Sequence, residues 1–192
     1  MPILESEKEL EDYLYSFKDK DHGPDYLEYL CDENLIFRQV QLGNAGIADL
    51  VCVILRGDPS DGIEIKVVII EIKKGQINLQ ALAQVSRYKV AMHNFIDSLK
   101  LKKEVNVSCA LVGSGYGDDG AWAIVENCDW VQTIVYNITF DGMSLDEHDG
   151  FVFNGDYSQL KNEIKKTIFP AYKEEVSRLR NYKIDFREYS RA

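Results

Sequence analysis

Four consecutive residues, Val67, Val68, Ile69 and Ile70, are apolar, and the run closes with Glu71, Ile72 and Lys73. Side chains alternate between the two faces of a strand, so a run of this kind has no face suited to water. It reads as a central strand covered on both sides. Glu71 and Lys73 then point to one face, Ile70 and Ile72 to the other. An ionised carboxylate in such a place is expensive to desolvate unless something pairs with it. A second apolar run, residues 50–55, starts directly after Asp49. The turn formers Gly57-Asp58-Pro59-Ser60-Asp61-Gly62 lie between the runs and predict a hairpin-like connection. Neighbouring strands would bring Asp49 beside Glu71. Two hard carboxylate oxygens suit Mg²⁺ or Mn²⁺, which bind through one or two carboxylates plus substrate phosphate. Lys73 would then orient or activate an attacking water, or offset charge on the phosphate being cleaved.

The rest of the chain supplies a frame for these strands. Ser6 with Glu9 three residues on forms a capping box for an acidic helix over 6–17. His22-Gly23-Pro24 breaks it, a short helical piece covers 26–31, and a strand covers 35–41. A helix over 79–100 carries the stripe Leu82, Val85, Met92, Ile96 and Leu99. Residues 105–112 read as a further core strand, 121–126 and 130–140 as two more. The glycine-rich segment 113–120 follows a strand but leads into no predicted helix, so it reads as a connection rather than a phosphate loop. The acid-rich stretch 141–150 lacks calcium-loop spacing and reads as a solvated loop. Two helices are expected over 157–183, packed on or beside the core, with Pro170 opening the second. No repeat or linker divides the chain. One domain spanning 1–192 is predicted, an α/β fold with a mixed central sheet flanked by helices.

Four pieces in order, Ser6-Glu-Lys-Glu-Leu-Glu11-Asp-Tyr-Leu, Gly46-Ile-Ala-Asp49-Leu, Glu71-Ile72-Lys73-Lys-Gly75 and Gln80-x3-Gln84-x3-Tyr88, extend the pattern. Together they resemble the PD-(D/E)XK nuclease superfamily, in its RecB-like and NucS-like branch, over roughly the first half of the chain. Ala48 stands where that family usually has Pro. The resemblance implies a restriction-endonuclease-like core and a DNA nuclease that hydrolyses phosphodiester bonds. Asp49, Glu71 and the carbonyl of Ile72 would hold Mg²⁺ or Mn²⁺, with Lys73 assisting the nucleophilic water. Gln84, and an acid of the first helix, would complete the catalytic set. Glu11, beside the apolar line Leu10, Leu14 and Phe17, is the choice for that acid, with Glu7 in reserve one turn earlier. Tyr88, Arg87 and Arg38 are the expected substrate contacts.

Each residue alone has a plainer account. Asp49 after the glycine turn suits a turn cap, Glu71 and Lys73 suit a solvent-facing pair, and Gln84 with Tyr88 suits one face of a surface helix. Their ordered combination favours the site.

Net charge weighs the other way. The chain carries −10, and phosphate neutralisation normally supplies much of the affinity for nucleic acid. The distribution softens this: residues 69–104 hold seven basic and three acidic side chains, and 158–192 hold nine and five. A non-catalytic protein of the same fold, a phage or defence-system module that binds another protein, is therefore the alternative. The reading leaves room for a homodimer. No apolar run is long enough to span a bilayer, and the first residues lack a signal-peptide pattern, so a cytoplasmic protein is expected. Cys31, Cys52, Cys109 and Cys128 are widely spaced, which argues for reduced thiols rather than zinc ligands or disulfides.

Overall fold

A computed structural model describes residues 6–20, 25–30, 34–56, 64–101, 104–139 and 142–147. The helices expected over 157–183 lie outside the described residues. Strands β1 (Leu35–Gln41), β2 (Ile47–Arg56), β3 (Glu64–Ile72), β4 (Val105–Gly113), β5 (Val131–Thr139) and β6 (Gly142–Glu147) form one sheet in chain order. β1, β2 and β3 pair antiparallel, β3, β4 and β5 parallel, and β6 antiparallel to β5. Among the described residues, helices α1 (Glu7–Tyr15), α2 (Leu79–Ser98) and α3 (Ala121–Val125) complete the elements, with short 3-10 turns at Ser16–Asp19, Asp25–Leu30 and Gly43–Ala45. The result is the mixed α/β sheet with flanking helices that the element order predicts.

Alternation along β3 divides the interior into two cores. Val67 and Ile69 join α2 and α3 on one face through Leu82, Val85, Met92 and Ile124. Val68, Ile70 and Ile72 join α1 and the 3-10 turn 25–30 on the other through Leu10, Leu14, Leu27 and Leu30. β3 is thus central and covered on both sides. Cys52 and Cys109 are buried free thiols, one in each core, and burial pushes the Cys52 thiol well above its usual range. Among the described residues no helix is long and apolar enough to cross a membrane.

Three expectations are corrected. The segment expected as a strand over 121–126 holds the helix α3, Ala121–Val125, instead. Gly120, at φ 81°, turns the chain, and a five-residue apolar run is too short for its period to separate helix from strand. The segment expected as a solvated acidic loop contains β6, where Leu145 is buried and Met143 packs against the same core while Asp146 and Glu147 stay exposed. Its acids hid a half-buried alternation. Finally, Leu99 leaves the predicted stripe at 49% exposure, because α2 ends at Ser98 and Lys100 takes a left-handed φ of 49°.

The segment after β3 carries Lys73, and β4 holds it in place. Lys73 N–H donates to the Val112 carbonyl at 2.8 Å, Ser114 N–H to Gly75 at 2.9 Å, and Ile77 N–H to Gly115 at 2.7 Å. Gly113 lets these backbones approach: a Cβ there would sit 2.7 Å from Ile77 Cγ1 and 2.9 Å from the Gly75 carbonyl. Asn78 then caps α2, accepting from Ala81 N–H at 2.9 Å.

Candidate functional site

The β2–β3 ladder runs from Arg56↔Glu64 to Leu50↔Ile70 and stops there. One further step would set Asp49 opposite Glu71. At that rung Asp49 supplies the next link with its side chain, Oδ2 accepting the Ile72 N–H at 2.8 Å. Asp49 is therefore fixed to the backbone of the strand that bears Glu71 and Lys73.

Glu71 points from β3 toward the α2 face, as its parity with Val67 and Ile69 requires. Only 3% of its surface is exposed. Lys73 Nζ donates to Glu71 Oε1 at 2.6 Å, while Glu71 Oε2 is buried with no hydrogen-bond partner among the described residues. Burial, and then the charge of Asp49, push the Glu71 carboxyl up to about 8 against the pull of Lys73. Burial raises Asp49 to about 6, and the Ile72 N–H opposes the rise. Two desolvated carboxylates, one raised by the charge of Asp49 and the other by that of Glu11, form a site short of positive charge.

Gln84 and Tyr88 are one turn apart on α2 and reach this cluster in series. Lys73 Nζ also donates to Gln84 Oε1 at 3.2 Å, Gln84 Nε2 donates to the Tyr88 hydroxyl at 2.6 Å, and that hydroxyl donates to the Ile47 carbonyl at 2.7 Å. The direction is consistent throughout: an ammonium only donates, so the amide must turn its oxygen to Lys73 and its nitrogen to Tyr88. Tyr88 is only 1% exposed, and its ring lies 3.2 Å from where a Cβ on Gly46 would stand. Expected as a substrate contact, Tyr88 is buried, and its hydroxyl links Gln84 to the Ile47 carbonyl.

On the opposite side α1 delivers both of its candidate acids. Glu11 is buried, with Oε1 accepting from Arg38 Nε at 2.7 Å and Oε2 from Gln39 Nε2 at 2.7 Å. Glu7 Oε1 accepts the Lys74 N–H at 3.1 Å, and Tyr136 donates its hydroxyl to the Lys74 carbonyl. Glu11 thus lies toward Asp49, whose carboxyl its charge raises, while Glu7 lies toward the end of β3 and raises Glu71. Arg38, the other expected phosphate contact, pairs with Glu11 at 2.6 Å and Asp12 at 2.5 Å and stacks over Tyr15. Its guanidinium answers α1 rather than standing open to a ligand. Arg87 is half-buried one position before Tyr88, and its charge reaches the Tyr88 hydroxyl.

Among the described residues no three His, Cys, Asp or Glu side chains gather as a metal cage. Both oxygens of Glu11 are engaged, by Arg38 and Gln39. The residues that could hold one hard divalent cation are Asp49 and Glu71, since such an ion is commonly bound through one or two protein carboxylates plus substrate phosphate. Gln39, which touches both Glu11 and Asp49, is the residue sequence reasoning missed. Its signal was the consecutive polar pair Arg38-Gln39, which breaks strand alternation in Leu35-Ile36-Phe37-Arg38-Gln39-Val40. Compared with protein-family models, curated proteins and solved structures, the chain matches none.

Proposed function

We propose that this chain is a divalent-metal-dependent nuclease that hydrolyses DNA phosphodiester bonds. The observation that carries the reading is Glu71 Oε2, a buried carboxylate oxygen beside Asp49 that has no partner among the described residues. Asp49, Glu71 and the Ile72 carbonyl are the residues that would hold Mg²⁺ or Mn²⁺. Such a cation, when bound, offsets the negative charge that builds on the phosphate during hydrolysis. The protein's own part is positional. Tyr88 orients Gln84, and Gln84 with Glu71 sets the Lys73 ammonium at one edge of the acid pair. From there Lys73 donates a hydrogen bond to the attacking water or to a phosphate oxygen. Glu11 and Arg38 tie α1 to β1 beside Asp49.

The test is incubation of the purified chain with single- and double-stranded DNA in Mg²⁺ or Mn²⁺, with Asp49→Ala and Lys73→Ala in parallel. Cleavage that needs the cation and is lost in both variants supports the reading. No cleavage of any form, together with no cation binding by calorimetry, overturns it. A second reading, a non-catalytic protein that binds another protein, is favoured by the −10 charge and by Arg38 being engaged with two carboxylates.

A further inference from the structure

Gln39 has a left-handed φ of 50° in the interior of β1, and Lys100 at the end of α2 is the other non-glycine residue with positive φ among the described residues. Strand alternation shows what that conformation does. Phe37 packs on the α2 core and Ile36 on the α1 core, yet Val40 returns to the α2 core, three positions after Phe37. β2 makes the same change of phase: Leu50 belongs to the α1 core and Ala48, two residues away, to the α2 core. The register is kept, with Arg38↔Leu50 and Val40↔Ala48 on either side, so both strands change phase together at Gln39 and Asp49. With ordinary extended φ, Gln39 would share a face with Phe37 and point away from α1. The left-handed residue brings its amide to α1 instead.

There Nε2 donates to Glu11 Oε2 at 2.7 Å and to Asp49 Oδ1 at 3.3 Å. Arg38 holds the far oxygen of Glu11, and the Ile72 N–H holds the far oxygen of Asp49 at 2.8 Å. Asp49 is therefore gripped at both oxygens, each of which keeps a second lone pair. A neutral amide suits this place better than a Lys or Arg would, because it fixes two acids without supplying a charge that competes with a cation.

We propose that Gln39 is a positioning residue for the acid pair: its amide, brought round by the left-handed backbone, sets the orientation in which Asp49 meets a divalent cation shared with Glu71. This rests on the proposed metal-dependent hydrolysis. Partners that orient a ligating carboxylate typically change metal affinity by about 10–100-fold when removed.

The test compares wild type, Gln39→Gly and Gln39→Met by calorimetric titration with Mn²⁺ and by thermal melting in chelator. Gln39→Gly removes the amide and relieves the positive φ; Gln39→Met removes the amide and keeps the side-chain length. Both variants should bind Mn²⁺ about tenfold more weakly, and Gln39→Gly should melt no lower than wild type. In cleavage, the Mn²⁺ concentration for half-maximal rate should rise while the saturated rate returns toward that of wild type. Wild-type affinity in either variant overturns the role of the amide and leaves the nuclease reading standing. A wild type that binds no Mn²⁺ overturns both.

Discussion

Glu71 is where the physical conflict of this chain is concentrated. Its carboxyl is raised to about 8 by burial and by Asp49, so the folded protein holds a proton there that the unfolded chain, titrating near 4.5, has already released. Where the folded state binds more protons, stability falls as pH rises, here across the interval from about 4.5 to about 8. Asp49 adds the same sign from 3.8 to about 6, while His93, lowered by burial, works in the opposite direction. A difference measurement removes His93. In chelator, Glu71→Gln should melt a few degrees above wild type at pH 8, with a smaller gain or none at pH 5. Equal melting temperatures at pH 8 would mean that the carboxylate carries no buried penalty. Tyr88→Phe tests the proposed orienting of Gln84. It should lower kcat about tenfold, short of the roughly 100- to 10,000-fold that a positioned acid or base itself supplies, and leave Mn²⁺ affinity within about twofold. A higher KM for DNA at unchanged kcat would instead make the hydroxyl a substrate contact. At this scale Asp49, Glu71 and Lys73 were legible because charged residues inside an apolar run need a physical reason. The buried use of Tyr88 was not, since helix spacing shows which residues share a face and not what lies opposite.

The elements place these residues through two close approaches. One is Gly113 against the segment that follows β3; the other is the joint change of phase of β1 and β2 at Gln39 and Asp49. Gly113→Ala would drive a Cβ into Ile77 and the Gly75 carbonyl, and overpacking of this kind costs about 1–3 kcal/mol. Urea unfolding should show that loss, and DNA cleavage should fall as well, because the same segment carries Lys73. A variant as stable as wild type would show that the two loops separate freely. The major strands and α2 were legible from period and turn residues. α3 and β6 were not: one is a run too short to have a period, and the other hides two apolar side chains among acids.

Across the whole molecule, charge is the property that bears most on a partner. Residues 1–68 carry 6 basic and 15 acidic side chains, whereas 158–192 carry nine basic and five acidic. If the C-terminal segment meets DNA, Lys165→Glu with Lys166→Glu should weaken binding alike for unrelated sequences. The slope of log affinity against log salt should become shallower by about 2. Fluorescence anisotropy at several salt concentrations reads both. Unchanged affinity would remove this segment from the interface and strengthen the protein-binding alternative.

Local chemistry was enough to foresee a central β3, its hairpin with β2, the α/β class and the meeting of Asp49 with Glu71 and Lys73. Each follows from side-chain parity or from a short turn, and parity and turns act over a few residues. Which acid of α1 faces Asp49, the engagement of Arg38 by Glu11 and Asp12, and the left-handed Gln39 were decided only by tertiary structure. They depend on where α1 lies across the sheet, and that is set by Leu10 and Leu14 packing against the sheet's inner face. Packing of that kind joins positions far apart in the chain, and no local period records it.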